Sequence, residues 1–208
     1  HAPTALRTAG PGVSVASRPT GSISPPTTPK GAPLAPNGDY TTPTGSNVTI
    51  ASLRGKPTLV WFVAGGCASC SASIPAVASH FAQLTSNGLQ VLTLGLYGNF
   101  PQGKKGAVQL VTFGRAATAW GSWGNIERPG WTWGMASESL SMAYDPTGTP
   151  DVYTLIGPQG HIRYRNSVPV STMAQLLAAV RSLDQPLETK SPNPTPPPET
   201  ATPTATLP

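Results

Sequence analysis

Two runs of hydrophobic residues in the first half of the chain have the length of buried β-strands. The first covers residues 58–63 and reads Thr-Leu-Val-Trp-Phe-Val; the second covers residues 89–96 and is hydrophobic at most positions. Runs without a polar alternation are typical of strands that are covered on both faces. We therefore predict two central strands of one sheet.

Between these two strands the spacing of hydrophobic residues becomes helical. From residue 69 to about residue 86, apolar side chains recur at steps of three and four, at Ile74, Val77, Ala78, Phe81 and Leu84. The pair Asn87-Gly88 is a typical helix end. The order strand–helix–strand predicts two parallel strands with a right-handed crossover between them.

The second half of the chain predicts further helices and one hairpin. We expect helices over about residues 106–120, near 138–144 and after a cap at Ser171, and two strands at 152–156 and 162–164 joined by a tight turn. Aromatic residues crowd the segment 98–135, among them Trp120, Trp123, Trp131 and Trp133. We interpret them as packing an irregular segment rather than lining a groove.

The prolines divide the chain into three parts. Of the 208 residues 25 are proline, and they are concentrated in residues 1–34 and 185–208 together with Ser and Thr. Such segments have too little hydrophobic content to offset the entropy of ordering. We predict one α/β domain over residues 35–184, flanked by two extended or disordered arms.

Charge and hydropathy bear on partners and location. Thirteen Lys and Arg against eight Asp and Glu give a net charge of +5, but the basic residues form no run, which disfavours nucleic-acid binding. No apolar stretch approaches the roughly 18 residues of a membrane helix. The chain begins at His1 rather than Met, as after removal of a signal peptide. With the Pro-rich arms, this predicts an extracytoplasmic location: secreted, periplasmic or cell-surface.

Cys67 and Cys70, the two cysteines of the chain, enclose Ala68-Ser69 directly after the first predicted strand. They fall at the start of a predicted helix, where free N–H groups and the positive end of the helix dipole favour a thiolate. The spacing lets the second cysteine reach the first, so the pair can cycle between dithiol and disulfide. We predict that Cys67 is the exposed attacking thiol and Cys70 the buried resolving thiol.

The residues around this motif resemble the thioredoxin-like TlpA/ResA group of exported thiol–disulfide oxidoreductases, within the redoxin family. The resemblance is carried by residues 35–36, 48–57, 60–62, 67–70, 148–150 and 155–162 and by Pro75. It implies a thioredoxin-like fold with a central mixed sheet flanked by helices. It also implies a cis peptide bond before Pro150, the position of Pro150 beside Cys67, and substrate binding at Thr149 and Pro150.

Several positions depart from the family pattern. Gly66 stands where a Trp usually precedes the first cysteine, and Ala64 stands where a peroxiredoxin would have Thr. Ser73 replaces a frequent Glu of the group, and Trp61 replaces the buried Asp of thioredoxins. Both familiar carboxylates are therefore missing, which leaves water to carry the proton of the resolving thiol. Asp151 is interpreted as a turn residue.

The sequence leaves other functions open. The cysteine pair could be a structural or vestigial disulfide in an accessory subunit of an extracellular or membrane-associated assembly, held by the Pro-rich arms. Two thiolates also suit Cu(I), as in a copper chaperone. We expect no cofactor and no resident metal. The expected partners are exported proteins with cysteines or disulfides, a membrane-bound redox partner and an assembly partner for the arms.

Overall fold

A seven-stranded mixed sheet organises the part of the chain that the computed structural model describes, residues 31–121 and 125–184. Its strands are β1 (Asp39–Thr41), β2 (Asn47–Thr49), β3 (Thr58–Val63), β4 (Gln90–Gly95), β5 (Trp131–Ala136), β6 (Val152–Ile156) and β7 (Ile162–Ser167). They lie in the order β2-β1-β5-β4-β3-β6-β7. The two hydrophobic runs form β3 and β4, which pair in parallel as predicted. The predicted hairpin is the antiparallel pair β6 and β7.

Five α-helices flank this sheet in the described residues. They are α1 (Ala68–Ser79), α2 (Phe81–Leu84), α3 (Gly103–Thr118), α4 (Glu138–Tyr144) and α5 (Pro169–Arg181). The single helix predicted over 69–86 is divided at His80, whose Nδ1 lies 2.9 Å from the carbonyl oxygen of Ala76. The cap predicted at Ser171 is wrong: α5 begins at Pro169, because proline suits the first turn, where its missing N–H is not needed.

The aromatic segment contains a strand that the hydrophobic pattern did not predict. β5 pairs in parallel with β4, and its Trp131 ring stacks on those of Phe81 and Trp133 at centroid distances of 5.4 and 5.3 Å. The interpretation of these indoles as packing residues is confirmed for Trp131 and Trp133. Trp120 is 97% exposed, and Trp123 lies outside the described residues.

The two faces of β3 belong to different halves of the core. Trp61 packs with residues of α1, α3 and α5, whereas its neighbours Val60 and Phe62 pack on the opposite face with residues of α4. This alternation follows from the period of two in a strand. It fixes the side of the sheet to which the indole of Trp61 is directed, which is the side of the cysteine helix.

The described part of the chain begins before the predicted domain boundary at residue 35. Leu34 forms an isolated bridge with His161, and the carbonyl oxygen of Pro33 accepts a hydrogen bond of 2.9 Å from Ile162 N–H. The arms predicted over 1–34 and 185–208 otherwise lie outside the described residues. Within those residues, no helix combines the length and hydropathy needed to span a membrane.

Candidate active site

Cys67 and Cys70 form a disulfide at the beginning of α1. Cys67 is the N-cap residue, and its Sγ accepts a hydrogen bond of 3.1 Å from the backbone N–H of Cys70. Cys67 is partly accessible, whereas Cys70 is fully buried. An incoming thiolate can therefore approach the sulfur of Cys67, while the sulfur of Cys70 is shielded within the core.

A turn of two glycines places the cysteines at the carboxyl end of β3. β3 ends at Val63, and Gly65 and Gly66 form the exposed turn that follows. Gly66 has a φ of 74°, a left-handed conformation that costs glycine little because it has no Cβ. The turn places the disulfide at the carboxyl end of the parallel strands β3 and β4, where ligand sites of parallel sheets commonly lie.

Helix α1 provides the electrostatics of a reactive thiol. The first N–H groups of a helix have no intrahelical partner, and the helix dipole adds a partial positive charge at this end. Both favour negative charge on Cys67 once the disulfide is opened. The position of Cys67 at the N-cap of α1 is therefore one at which a thiolate is favoured by the helix itself.

The loop before β6 corrects one implication of the resemblance. The described residues contain no cis peptide bond, so the bond between Thr149 and Pro150 is trans, the lower-energy form of an X-Pro peptide. The chain direction is instead set at Asp151, which has a φ of 71° and whose backbone N–H donates to the Phe62 carbonyl oxygen at 2.8 Å. Thr149 is exposed and Pro150 half-buried, and their role in substrate binding stays a prediction.

The side chain of Asp151 lies in the core behind the cysteine helix. Asp151 is fully buried. Its carboxylate accepts hydrogen bonds from the indole Nε1–H of Trp61 at 2.9 Å and from the hydroxyl of Ser73 at 3.0 Å. In the first turn of α1, the Ser69 hydroxyl oxygen lies 3.3 Å from the Sγ of Cys67.

Burial has the largest effect on the pKa of Asp151. Desolvation raises the pKa of Asp151 above its ordinary value, and the hydrogen bonds from Trp61 and Ser73 oppose that rise. Asp151 is therefore protonated at a higher pH than an ordinary carboxyl group.

One sequence-based expectation about carboxylates is thus wrong: Asp151 is not only a turn residue, because its carboxylate is buried and bonded in the core. Trp61 and Ser73, the residues that replace the two familiar carboxylates, both donate hydrogen bonds to Asp151. The signal available in the sequence was this pair of substitutions: two donors in place of two acids indicate that an acceptor comes from elsewhere.

The described residues offer little for a resident metal. Among residues 31–121 and 125–184, no group of three or more His, Cys, Asp or Glu side chains is placed to hold a metal ion. Cys67 and Cys70 are joined to each other. A Cu(I) site would depend on these two sulfurs after reduction of the disulfide.

Comparison with known proteins gives structural relatives only. No family model matches the sequence, and no curated protein matches it significantly. A candidate protein disulfide isomerase from Bacteroides thetaiotaomicron is 17% identical, with 73% of this chain and 88% of that chain covered and a TM-score of 0.53.

Two further structural relatives bear different names. Arabidopsis thaliana ScoI with copper bound is 13% identical over 72% of this chain and 99% of that chain, with a TM-score of 0.52. The reduced 2-Cys peroxiredoxin of Plasmodium vivax is 16% identical over 73% and 80%, with a TM-score of 0.51. At these identities the likeness shows the fold alone, because one fold can carry many functions. The described residues therefore adopt the thioredoxin-like fold of the redoxin proteins, with a Cys-x-x-Cys disulfide at the start of the first long helix.

Proposed function

We propose that the protein is a thiol–disulfide oxidoreductase that exchanges electrons with cysteines of other proteins through Cys67 and Cys70. The observation that carries the proposal is the asymmetry of the disulfide: Cys67 is partly accessible at a helix N-cap, and Cys70 is fully buried behind it. A purely structural disulfide needs neither a helix N-terminus nor one accessible sulfur.

The reaction is a pair of exchanges. A substrate thiolate attacks the Sγ of Cys67, the Cys67–Cys70 bond breaks, and Cys70 leaves as a thiolate that takes up a proton. A second substrate thiolate attacks the substrate sulfur of this mixed disulfide and releases Cys67. The substrate is oxidised to a disulfide by two electrons, and the cysteine pair is reduced by the same two; the reverse sequence reduces a substrate disulfide.

The proposal also covers the cellular location of the protein and its partners. A disulfide persists in oxidising compartments, and the Pro-rich composition of the arms is typical of exported proteins, so we infer an extracytoplasmic protein whose substrates are exported proteins with cysteines or disulfides. Thr149 and Pro150, at the same end of the sheet as the disulfide, are the proposed contact for the substrate backbone. Direction of electron flow would follow from the potential of the pair.

The reduction potential tests the proposal first. The full chain is equilibrated with glutathione and dithiothreitol buffers, and free thiols are trapped by alkylation. We expect a potential between about −120 and −270 mV, the span of exchange catalysts, with Cys67 alkylated before Cys70. A potential below about −300 mV, typical of structural disulfides, would reject the oxidoreductase and favour the accessory subunit.

A matched pair of variants tests the roles of the two sulfurs. Cys70→Ala removes the resolving thiol, so the mixed disulfide formed by Cys67 should accumulate with a peptide disulfide as probe. Cys67→Ala leaves only the buried sulfur and should trap at least tenfold less. Equal trapping by both variants would show that the two cysteines are not distinguished as attacking and resolving thiols.

A further inference from the structure

We propose that a cleft between helix α4 and the segment after β4 binds a basic side chain, lysine or arginine, that lies near the reacting cysteine of a substrate protein. The cleft has a volume of about 100 Å³, and the residues that line it include Leu96, Tyr97, Asn99, Glu138, Met142 and Asp145. The inference deepens the proposed function and rests on it for the identity of the substrate. The cleft takes no part in the exchange of disulfides; it selects which cysteines reach the disulfide.

An unpaired carboxylate oxygen of Asp145 gives the cleft its chemistry. Asp145 is only 4% exposed. The hydroxyl of Thr147 donates a hydrogen bond of 2.9 Å to its Oδ1, whereas its Oδ2 is buried and has no hydrogen-bond partner among the described residues. Such groups are rare in folded proteins, because a buried oxygen without a donor keeps the full cost of desolvation. A ligand that brings a donor to Oδ2 removes this cost.

The charges around the cleft favour a positively charged donor. Glu138 adds a second carboxyl group at the exposed rim. Where the structure describes the chain, the ion pair is between Arg115 and Glu127, so it neutralises neither acid of the cleft. Residues 31–121 and 125–184 contain no group of three or more His, Cys, Asp and Glu side chains placed to hold a metal ion. A charged N–H group therefore fits Asp145 better than a metal ion does.

The walls of the cleft suit the carbon chain of lysine or arginine. Tyr97 and Met142 are large hydrophobic residues that are 43% and 55% exposed, and Leu96 adds a buried apolar side chain. Lysine and arginine carry their charge at the end of an apolar stem that packs on such surfaces. The face of an aromatic ring such as that of Tyr97 also attracts a cation. The cleft therefore matches a basic side chain rather than a small inorganic cation.

The cleft lies beside the disulfide and the proposed contact for the substrate backbone. The hydroxyl oxygen of Thr147, which bonds to Asp145, lies 2.9 Å from that of Thr149. On the other side, a Cβ added to Gly65 in the turn before the cysteines would lie 3.5 Å from the carbonyl oxygen of Asn99. A peptide that crosses Thr149 with its cysteine at the disulfide therefore brings its neighbouring side chains to the cleft.

Binding without exchange is the first test. The probes are short glycine-rich peptides in which serine replaces the cysteine, with one lysine placed one or two residues before or after the serine. The matched probes carry glutamine instead of lysine. Nuclear magnetic resonance titration of the oxidised full chain measures the dissociation constants. We expect the lysine peptide to bind about tenfold more tightly than its glutamine counterpart in at least one position, the scale of one hydrogen bond to a charged group.

Two matched variants separate the cleft from the overall charge of the protein. Asp145→Asn keeps the size of the side chain and an oxygen acceptor for Thr147 but removes the charge, so the preference for lysine should fall to within twofold. Glu127→Gln removes the same charge from a residue outside the cleft and should keep the preference. The net charge of the chain is +5, so overall charge opposes the binding of a basic peptide. An equal loss in both variants would overturn the proposal.

The rate of exchange distinguishes this inference from the proposed function. Peptides of the same design, with cysteine in place of serine, reduce the disulfide of the full chain. The ratio of the rates for the lysine and glutamine peptides is divided by the same ratio measured with glutathione disulfide, which corrects for the effect of lysine on the peptide thiol. We expect a corrected ratio of about ten in the native protein. Exchange without this preference would overturn the cleft and leave the oxidoreductase intact, whereas preferential binding without exchange would support the cleft and reject the oxidoreductase.

Two outcomes of the binding test would overturn the proposal. One is equal affinity for the lysine and glutamine peptides at every position; the other is an unchanged preference in a folded Asp145→Asn variant. If Asp145→Asn does not fold, Glu138→Lys provides the decision, because it changes an exposed residue at the rim. The positive charge that it introduces should lower the preference for lysine at least threefold, and an unchanged preference would overturn the proposal.

Discussion

Asp151 is a buried acid that destabilises the fold near neutral pH. The pKa of Asp151 is raised in the folded protein above its ordinary value of 3.8. An acid of this kind contributes its stability below pH 3.8 and loses it as the pH rises through its folded pKa, because the unfolded chain releases the proton more readily. Burying the ionised carboxylate therefore costs free energy, which the hydrogen bonds from Trp61 and Ser73 partly offset.

The raised pKa of Asp151 leads to a prediction about stability. Asp151→Asn should raise the free energy of unfolding relative to the native protein as the pH increases from about 4 to about 7, since the amide carries no charge to bury. Urea unfolding of the oxidised protein at both pH values measures the difference. A difference that stays constant or moves against the variant with rising pH would contradict the raised pKa of Asp151.

Residue roles differ in how far the sequence can predict them. Cys67 and Cys70 are predictable because their strand–turn–helix setting is local, within a few residues of the motif itself. Asp151 is not, because its partners Trp61 and Ser73 are 90 and 78 residues distant in sequence. The cis bond that the resemblance implied before Pro150 is absent from the described residues.

Elements were predictable where the hydrophobic pattern was unambiguous. β3, β4 and α4 follow from their patterns, with α4 at the predicted bounds Glu138–Tyr144. β5 was not predicted, because its Trp-Thr-Trp-Gly-Met-Ala sequence is buried through the stacking of indole rings. In addition, Gly134 lets the Tyr40 ring approach the strand closely. A glycine within a strand is normally unfavourable, so the tertiary contact, absent from any local pattern, decides the structure.

Helix α3 provides a prediction at the element scale. Gly106 lies buried in its first half, where an added Cβ would collide with the carbonyl oxygen of Pro101 and approach Met135 Cγ at 2.9 Å. In an open helix position, Gly→Ala would stabilise by roughly 1 kcal/mol. Here Gly106→Ala should instead destabilise by about 1–3 kcal/mol, the usual cost of overpacking.

Urea unfolding measures this change, with Lys105→Ala as the control. Lys105 is the exposed neighbour in the same helix, and its replacement should alter the free energy of unfolding by less than about 0.5 kcal/mol. Stabilisation by Gly106→Ala would show that α3 does not pack against Pro101 as closely as the structure indicates.

At the scale of the whole molecule, the site depends on the order of the strands. β3 lies between β4 and β6, so one end of the sheet receives both the cysteine turn that follows β3 and the Asp151 loop that precedes β6. The antiparallel pairing of β3 with β6 is what brings the end of one strand beside the start of the other. A fold with these two strands separated would not bring the Asp151 carboxyl to Trp61 of β3 and Ser73 of α1.

Contacts of residues 32–34 with β7 and the turn before it show where the folded domain begins. The carbonyl oxygens of Ala32 and Pro33 bond to His161 Nδ1 at 2.7 Å and to Ile162 N–H at 2.9 Å, and Leu34 forms a bridge beside them. A chain that starts at residue 35, the boundary expected from composition, loses these contacts, whereas one that starts at residue 31 keeps them. At roughly 0.5–1.5 kcal/mol for each hydrogen bond, the shorter chain should be less stable by about 1–3 kcal/mol. Urea titrations of the two chains, which are identical beyond residue 35, measure the difference in the free energy of unfolding. Equal stability would place the domain boundary at residue 35 and show that the contacts of residues 32–34 are energetically neutral.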